Sequence, residues 1–146
     1  MDITLQLPNA QDKLYLVKVS EFMRIVDEED LKTRESELVK DMYHKYWFEE
    51  GKNGILTFHA PEFYLTKGVA YFINGRHRVV LLSRYLNVMP MALTNMDGSP
   101  FCEAQPTEKS VEVLNRISIR EIEKNEVFNF PKLPIKYLGY DLNIGK

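Results

Sequence analysis

The chain has 146 residues, 45% of them hydrophobic and 27% charged, with a formal net charge of −2. This length fits one domain, the composition supplies an ordinary core, and long disordered stretches are excluded. The negative charge gives no global attraction to nucleic acid, so any polyanion must bind through a local patch.

Three features of the sequence predict where the protein works. The longest apolar runs, such as residues 79–82, are far too short to cross a bilayer. The first residues lack the basic and apolar regions of a signal peptide. Cys102 is the single cysteine, so no internal disulfide can form. We therefore expect a cytoplasmic protein with no membrane partner.

The first elements are predicted from hydrophobic spacing. Alternation over residues 14–19 indicates a strand, and Ser20 is expected to cap a short helix that follows it through Ile25. The acidic run 27–30 suits the positive end of a second helix. The apolar spacing then predicts helix to about Phe48, with the following glycines ending it.

The middle of the chain predicts strands joined by glycine turns. Residues 55–59 indicate a strand that stops before Pro61, and Lys67-Gly68 indicates a hairpin between strands at 64–65 and 69–73. Asn74-Gly75 is a second turn signal. A buried helix from about His77 to Asn87 and a core strand over residues 88–93 follow, and this order resembles a βαβ unit.

The C-terminal third predicts less. Thr107 is expected to cap a short helix through Ile117. Residues 126–146 contain prolines and glycines and are expected to form an extended arm that wraps the core. The prediction for residues 1–146 as a whole is a single α/β domain with a mixed sheet and packed helices.

The one chemically loaded segment is Asn74-Gly75-Arg76-His77-Arg78. Its cations fall in the first turn of a helix, where each costs about 0.3–1 kcal/mol against the helix dipole. The backbone N–H groups there are free, and Gly75 lets a ligand approach the backbone closely. An anion would relieve both problems, so the segment predicts a phosphate cradle.

A different interpretation of the same residues stays open. The arginine side chains can bend away and pair with acids of the protein, such as Glu49, Glu50 or Asp97. In that case the segment stabilises the fold and binds no ligand.

Residues 71–78, with the helix over 79–86 and the strand 89–93, resemble the ParB/sulfiredoxin-like superfamily. They are also similar to plasmid fertility-inhibition factors, which carry a similar Gly-Arg-His-Arg stretch. The resemblance covers about residues 55–93 and implies a strand, a glycine-rich turn, a basic pair, a buried helix and a proline-containing strand around a nucleotide site.

The resemblance implies a role for each residue of the turn. Gly75, His77 and Arg78 would hold the phosphates, with Asn74, Arg76 and Lys67 completing the binding set, and the nucleotide would be ATP or CTP with Mg²⁺. Sulfiredoxins place a nucleophilic cysteine before the position of His77, and ParB proteins place an acid there. This chain has Arg76, which argues against both chemistries.

Two function hypotheses follow from these features. The first is a domain that binds nucleotide or nucleic-acid phosphate, with slow or absent turnover, in which His77 and Arg78 would be the catalytic residues of a weak nucleotidase or nuclease. It expects Arg76→Ala and Arg78→Ala to fold normally and lose anion binding. The second is a non-enzymatic interaction module, an inhibitor or immunity-type factor that meets a protein partner.

Three other features of the sequence are weaker indications of a functional site. His59 and Glu62 are too few for a metal site, so no metal ligand is predicted. The aromatic stripe Tyr43, Tyr46 and Trp47 is typical of core more than of base stacking. The acidic runs at residues 27–30 and 121–126 are typical of exposed helix surface, or of a docking surface for a basic partner.

Overall fold

The strands of this protein form two mixed sheets with helices packed against them. The computed structural model describes residues 1–6, 12–32, 47–98, 104–123 and 125–133. The strands in this part of the chain are β1 Asp2–Gln6, β2 Lys13–Lys18, β3 Phe48–Glu50, β4 Leu56–His59, β5 Glu62–Thr66, β6 Val69–Asn74, β7 Val88–Met96, β8 Ser118–Ile122 and β9 Phe128–Asn129. The α-helices are α1 Val19–Ile25, α2 Glu28–Lys32, α3 Arg76–Leu82 and α4 Glu108–Ile117. Mixed α/β architecture is therefore confirmed, with two sheets where one was expected.

The larger sheet has five strands in the order β6-β5-β7-β2-β8. Only β5 and β7 pair in parallel, and the other neighbours are antiparallel. β5 lies between β6 and β7, so the chain passes from β6 through α3 to a strand that is not adjacent to β6. β6 is antiparallel to β5 and therefore also to β7. The predicted βαβ unit is thus wrong, since β6 and β7 are neither adjacent nor parallel.

The smaller sheet has the order β3-β4-β1-β9. Its central pair, β1 and β4, is parallel, and β3 and β9 pair antiparallel at the edges. Three of its strands come from segments where no strand was predicted. β1 alternates polar and apolar residues over its five positions, a strand signal that the prediction did not use, and β9 has only two residues. β3 begins at Phe48, where the second helix was expected to end.

The β5–β6 hairpin is confirmed and carries the basic turn at its far end. Lys67 and Gly68 have φ angles of 53° and 81°, as the two central residues of a type I′ turn require. The hairpin pairs Tyr64 with Tyr71 and ends with Glu62 opposite Asn74.

The helices agree with prediction in position more than in length. α1 matches, but Ser20 lies inside it, and Lys18 at its N-cap makes no side-chain cap. α2 is described only to Lys32, and the rest of the long predicted helix, 33–46, lies outside the described residues. α4 begins after Thr107, whose side chain accepts the N–H of Ser110 at 3.2 Å, as predicted.

The core joins both sheets. Its fully buried side chains come from α1, from both sheets and from α3 and α4; the largest are Phe22, Phe48, Phe58, Phe63, Ile3, Leu65, Leu81, Leu82, Met89, Met91 and Ile117. Leu82 is 0% and Leu86 3% exposed, which confirms the predicted burial after the basic turn, although α3 ends at Leu82 and not near Asn87. None of the described helices has the length and apolar content needed to span a membrane.

Candidate functional site

The basic turn begins with a glycine whose conformation is set by the protein itself. Gly75 is the N-cap of α3 and has φ 93° and ψ 19°, a left-handed conformation that side chains disfavour. A Cβ on Gly75 would lie 2.8 Å from Pro61 Cβ and 3.0 Å from Pro61 Cα. The requirement for glycine therefore arises from a close approach of the turn to Pro61, as well as from the turn itself.

Arg76 leaves the turn toward α2. Its Nη1 donates to the Asp30 Oδ1 at 2.9 Å and also to the Asp30 backbone carbonyl. The two side chains are 19% and 20% exposed, so water screens this ion pair only in part. One guanidinium of the predicted cradle is thus bonded to an acid of the protein, but to Asp30 and not to the acids named from sequence.

Asp30 in turn holds the free edge of the larger sheet. Its second oxygen, Oδ2, accepts the backbone N–H of Phe72 in β6 at 2.8 Å. The neighbouring Asp27 donates its backbone N–H to the carbonyl of Ala70 at 2.9 Å. The α2 segment therefore covers edge strand β6 with hydrogen bonds, and Arg76 joins that contact to the basic turn.

Arg78 points into the protein. The residue is 7% exposed, and its Nη1 donates to the backbone carbonyl of His59 at the end of β4. Burial lowers the pKa of Arg78 to about 10, against the attraction of the nearby carboxylate of Glu62, which raises it. Glu62 is itself 7% exposed. The second guanidinium thus joins α3 to the end of β4, in the smaller sheet.

The remaining residues of the turn are more accessible. Asn74 is exposed and His77 is half-buried. Gly75, the N-cap of α3, provides no capping side chain, and the first helical hydrogen bond is donated by the N–H of Val79 to the carbonyl of Gly75.

Lys67 lies at the other end of the hairpin from the turn. Strand β6 separates them by six residues, about 20 Å at the rise of a strand, which is farther than a lysine side chain spans. The N–H of Lys67 donates to Asp97 Oδ1 at 2.8 Å. Lys67 is exposed and does not join Arg76, His77 and Arg78.

Two of the acids named from sequence as partners for the arginines, Asp97 and Glu49, have other partners. Asp97 accepts hydrogen bonds from the N–H of Thr107 at 2.6 Å and from the hydroxyl of Ser110 at 2.8 Å. Desolvation alone would raise the pKa of Asp97, but these bonds and that of Lys67 hold it below its usual range. Glu49 lies with its Oε1 3.1 Å from His59 Nε2.

The described residues contain no group of three or more histidine, cysteine, aspartate or glutamate side chains placed to hold a metal ion. Tyr43, Tyr46 and Cys102 lie outside them, and Trp47 is buried in the core. An open apolar groove is formed by Leu16, residues 85–88 and residues 128–131. It includes no residue of the basic turn.

Sequence reasoning missed Asp30 as the partner of Arg76. Both charged segments, the acidic run 27–30 and the basic turn, are visible in the sequence, but Asp30 and Arg76 are 46 positions apart. The acidic run was assigned to the dipole of its own helix. Only the covering of β6 by the α2 segment brings the two together.

Comparisons of the chain with protein-family models, with curated proteins and with solved structures find no match.

Proposed function

We propose that this chain is a non-enzymatic protein-interaction module, in which the basic turn holds the fold together. The observation that carries the proposal is that both guanidinium groups of the turn are bonded to the protein itself. Arg76 is bonded to Asp30 and Arg78 to the His59 carbonyl. Phosphate recognition needs cations that are free to bond the ligand.

The charges around the turn also disfavour a phosphate. Asp30 and Glu62 lie beside the two arginines, so the arginines' charge is offset locally by carboxylates. A phosphate that took Arg76 from Asp30 would leave that carboxylate without its counter-charge while it still accepts the N–H of Phe72. Removing one partner from a partly buried pair is costly.

A second candidate is the phosphate- or nucleotide-binding domain predicted from the resemblance. The observation that favours it is the N-terminus of α3, whose N-cap residue, Gly75, provides no capping side chain, since helix N-termini attract anions. This candidate includes the ParB/sulfiredoxin-like fold assignment, which rests on residues 71–93. Its ligand would be ATP or CTP with Mg²⁺ or a nucleic-acid phosphate, held at residues 74–78.

One pair of measurements separates the two candidates. Urea unfolding of the wild type and Arg76→Ala is followed by Trp47 fluorescence, and thermal unfolding of both is repeated with pyrophosphate, ATP or CTP, each with Mg²⁺. The interaction module predicts that Arg76→Ala lowers the free energy of unfolding by about 1–3 kcal/mol and that no ligand raises the melting temperature of either protein.

The cradle predicts the reverse result. Arg76→Ala would unfold like the wild type, and the wild type alone would gain stability with nucleotide. Arg24→Ala is the matched control, because Arg24 forms an exposed ion pair with Glu21 on α1 and such pairs contribute little. A nucleotide-dependent stabilisation that Arg76→Ala abolishes, with Arg24→Ala unaffected, would overturn the proposal.

A further inference from the structure

The outer face of the β5–β6 hairpin carries two stacked tyrosines. Tyr64 and Tyr71 face each other across the strands, with ring centroids 5.1 Å apart and planes at 15°. Both rings are half-buried, and Ile73 on β6 is 38% exposed. Among the described residues, these three lie outside the side chains that form or contact the hydrophobic core clusters.

Carboxylates border this aromatic face along one side. The backbone N–H of Asp27 donates to the carbonyl of Ala70, and the side chain of Asp30 accepts from the N–H of Phe72. The α2 segment therefore bonds β6 at the residues just before and just after Tyr71. Burial raises the pKa of Tyr64, and Tyr71, Asp30 and Asp27 raise it further, as expected where carboxylates lie near the phenol.

The border is strongly acidic. Residues 27–30 are four consecutive carboxylates, and Arg76 pairs with one of them, Asp30. Glu28 is exposed. Two of the others are committed to backbone contacts: Asp27 accepts the N–H of Asp30 at 3.0 Å, and Asp30 accepts that of Phe72. Glu28 is therefore the acid that can be changed with least effect on the fold.

We infer that the stacked pair Tyr64–Tyr71 and the acidic border 27–30 form a docking surface for a basic, arginine-containing segment of a partner protein. Guanidinium groups stack on tyrosine faces and pair with carboxylates. The negative charge of the border selects this occupant, because it would repel a nucleic acid or an acidic peptide. The inference rests on the proposed function and names the surface and the partner chemistry for it.

The test is a titration of the ¹⁵N-labelled full chain with a short blocked peptide of alternating arginine and glycine, at about 0.1 M salt, where charges interact over about 10 Å. Saturable shift changes are expected at Tyr64, Tyr71, Ile73 and the backbone of residues 27–30. The same peptide with glutamate in place of arginine should leave these signals unmoved.

Two variants and one control locate the binding. Glu28→Lys should weaken binding of the arginine peptide by about threefold or more. The double variant Tyr64→Leu/Tyr71→Leu keeps the apolar bulk and removes the ring faces, and it should weaken binding by about fourfold or more, at about two- to fivefold per ring. Glu121→Lys makes the same charge change on exposed strand β8, at the opposite edge of the same sheet, and should leave the affinity within about twofold of wild type.

Each contrary outcome overturns the inference. Equal weakening by Glu28→Lys and Glu121→Lys would mean that only net charge attracts the peptide. Shifts confined to another surface, binding of the glutamate peptide or of a single-stranded oligonucleotide on this face, or no saturable shift at all would do the same. These results leave the proposed function standing, because that proposal fails only through nucleotide-dependent stabilisation at the basic turn.

Discussion

Replacing Arg78 by methionine should destabilise the protein far more than an ordinary surface change. Arg78 is 7% exposed, and burial lowers its pKa to about 10, a net shift that corresponds to about 3 kcal/mol of cost for keeping the charge inside. The buried charge of Arg78 by itself thus lowers the stability of the fold, and the favourable contribution of Arg78 comes from the groups that it bonds.

The partners set the size of the effect. Without Arg78, the carboxylate of Glu62, itself 7% exposed, loses its counter-charge, and the carbonyl of His59 loses its donor. Removing one member of a buried pair costs about 3–5 kcal/mol. We expect Arg78→Met to lower the free energy of unfolding by that amount, measured by urea unfolding with Trp47 fluorescence.

A double-mutant cycle tests the reasoning. Glu62→Gln neutralises the partner and keeps its hydrogen-bonding atoms, so Arg78→Met/Glu62→Gln should recover at least about 1 kcal/mol relative to the sum of the single changes. Strictly additive losses would show that Glu62 is not the group that depends on Arg78. A loss below about 1 kcal/mol in Arg78→Met alone would refute the interior role of the guanidinium.

Two further predictions concern the turn and the α4 end of the hairpin. Gly75→Ala should lower the free energy of unfolding by about 2–3 kcal/mol, because the new Cβ would lie 2.8 Å from Pro61 Cβ. Gly54→Ala is the matched control, since Gly54 also has a positive φ, at 75°, but has open space around it. Equal losses of the two variants in urea unfolding would contradict the contact with Pro61. Asp97→Asn should cost about 1 kcal/mol or more at neutral pH, because its three donors lose a charged acceptor. Since the pKa of Asp97 is lowered in the fold, its contribution is complete above the unfolded pKa of about 3.9 and is lost as the pH falls through the lower folded pKa. The difference between wild type and Asp97→Asn in urea unfolding should therefore be constant from about pH 5 to 8 and shrink below about pH 4; a difference that grows on acidification would refute the role of the carboxylate.

Local signals predicted the elements that local chemistry determines. The hairpin at Lys67-Gly68 was visible because both residues take positive φ, and the N-cap at Thr107 because its hydroxyl meets an N–H three residues on. β9 was missed because its two residues carry no pattern of their own and pair with β1, more than a hundred positions away in the chain. β1 does alternate polar and apolar residues, and this local strand signal was not used in the prediction.

The same limit explains the misjudged connection after the basic turn. A strand, turn, helix and strand predict adjacent parallel strands when only local order is considered. Here β5 occupies the place beside β7, and the pairing Phe63 with Leu93 determines that arrangement. Whether β5 or β6 pairs with β7 depends on tertiary packing, and a local sequence pattern does not predict it.

The electrostatic argument from the sequence predicts that the basic turn needs an anion nearby, but it does not predict which anion that is. Cations in the first turn of a helix are unfavourable, and an acid nearby relieves them. The chain supplies its own acid: Asp30 reaches Arg76 because α2 covers the edge of β6, and one carboxylate then bonds both the Phe72 N–H and the guanidinium. An anion from outside would have to displace a group that is already held in place by the sheet edge. The same covering places the acidic run beside Tyr71, so the segment that bonds Arg76 also borders the hairpin face.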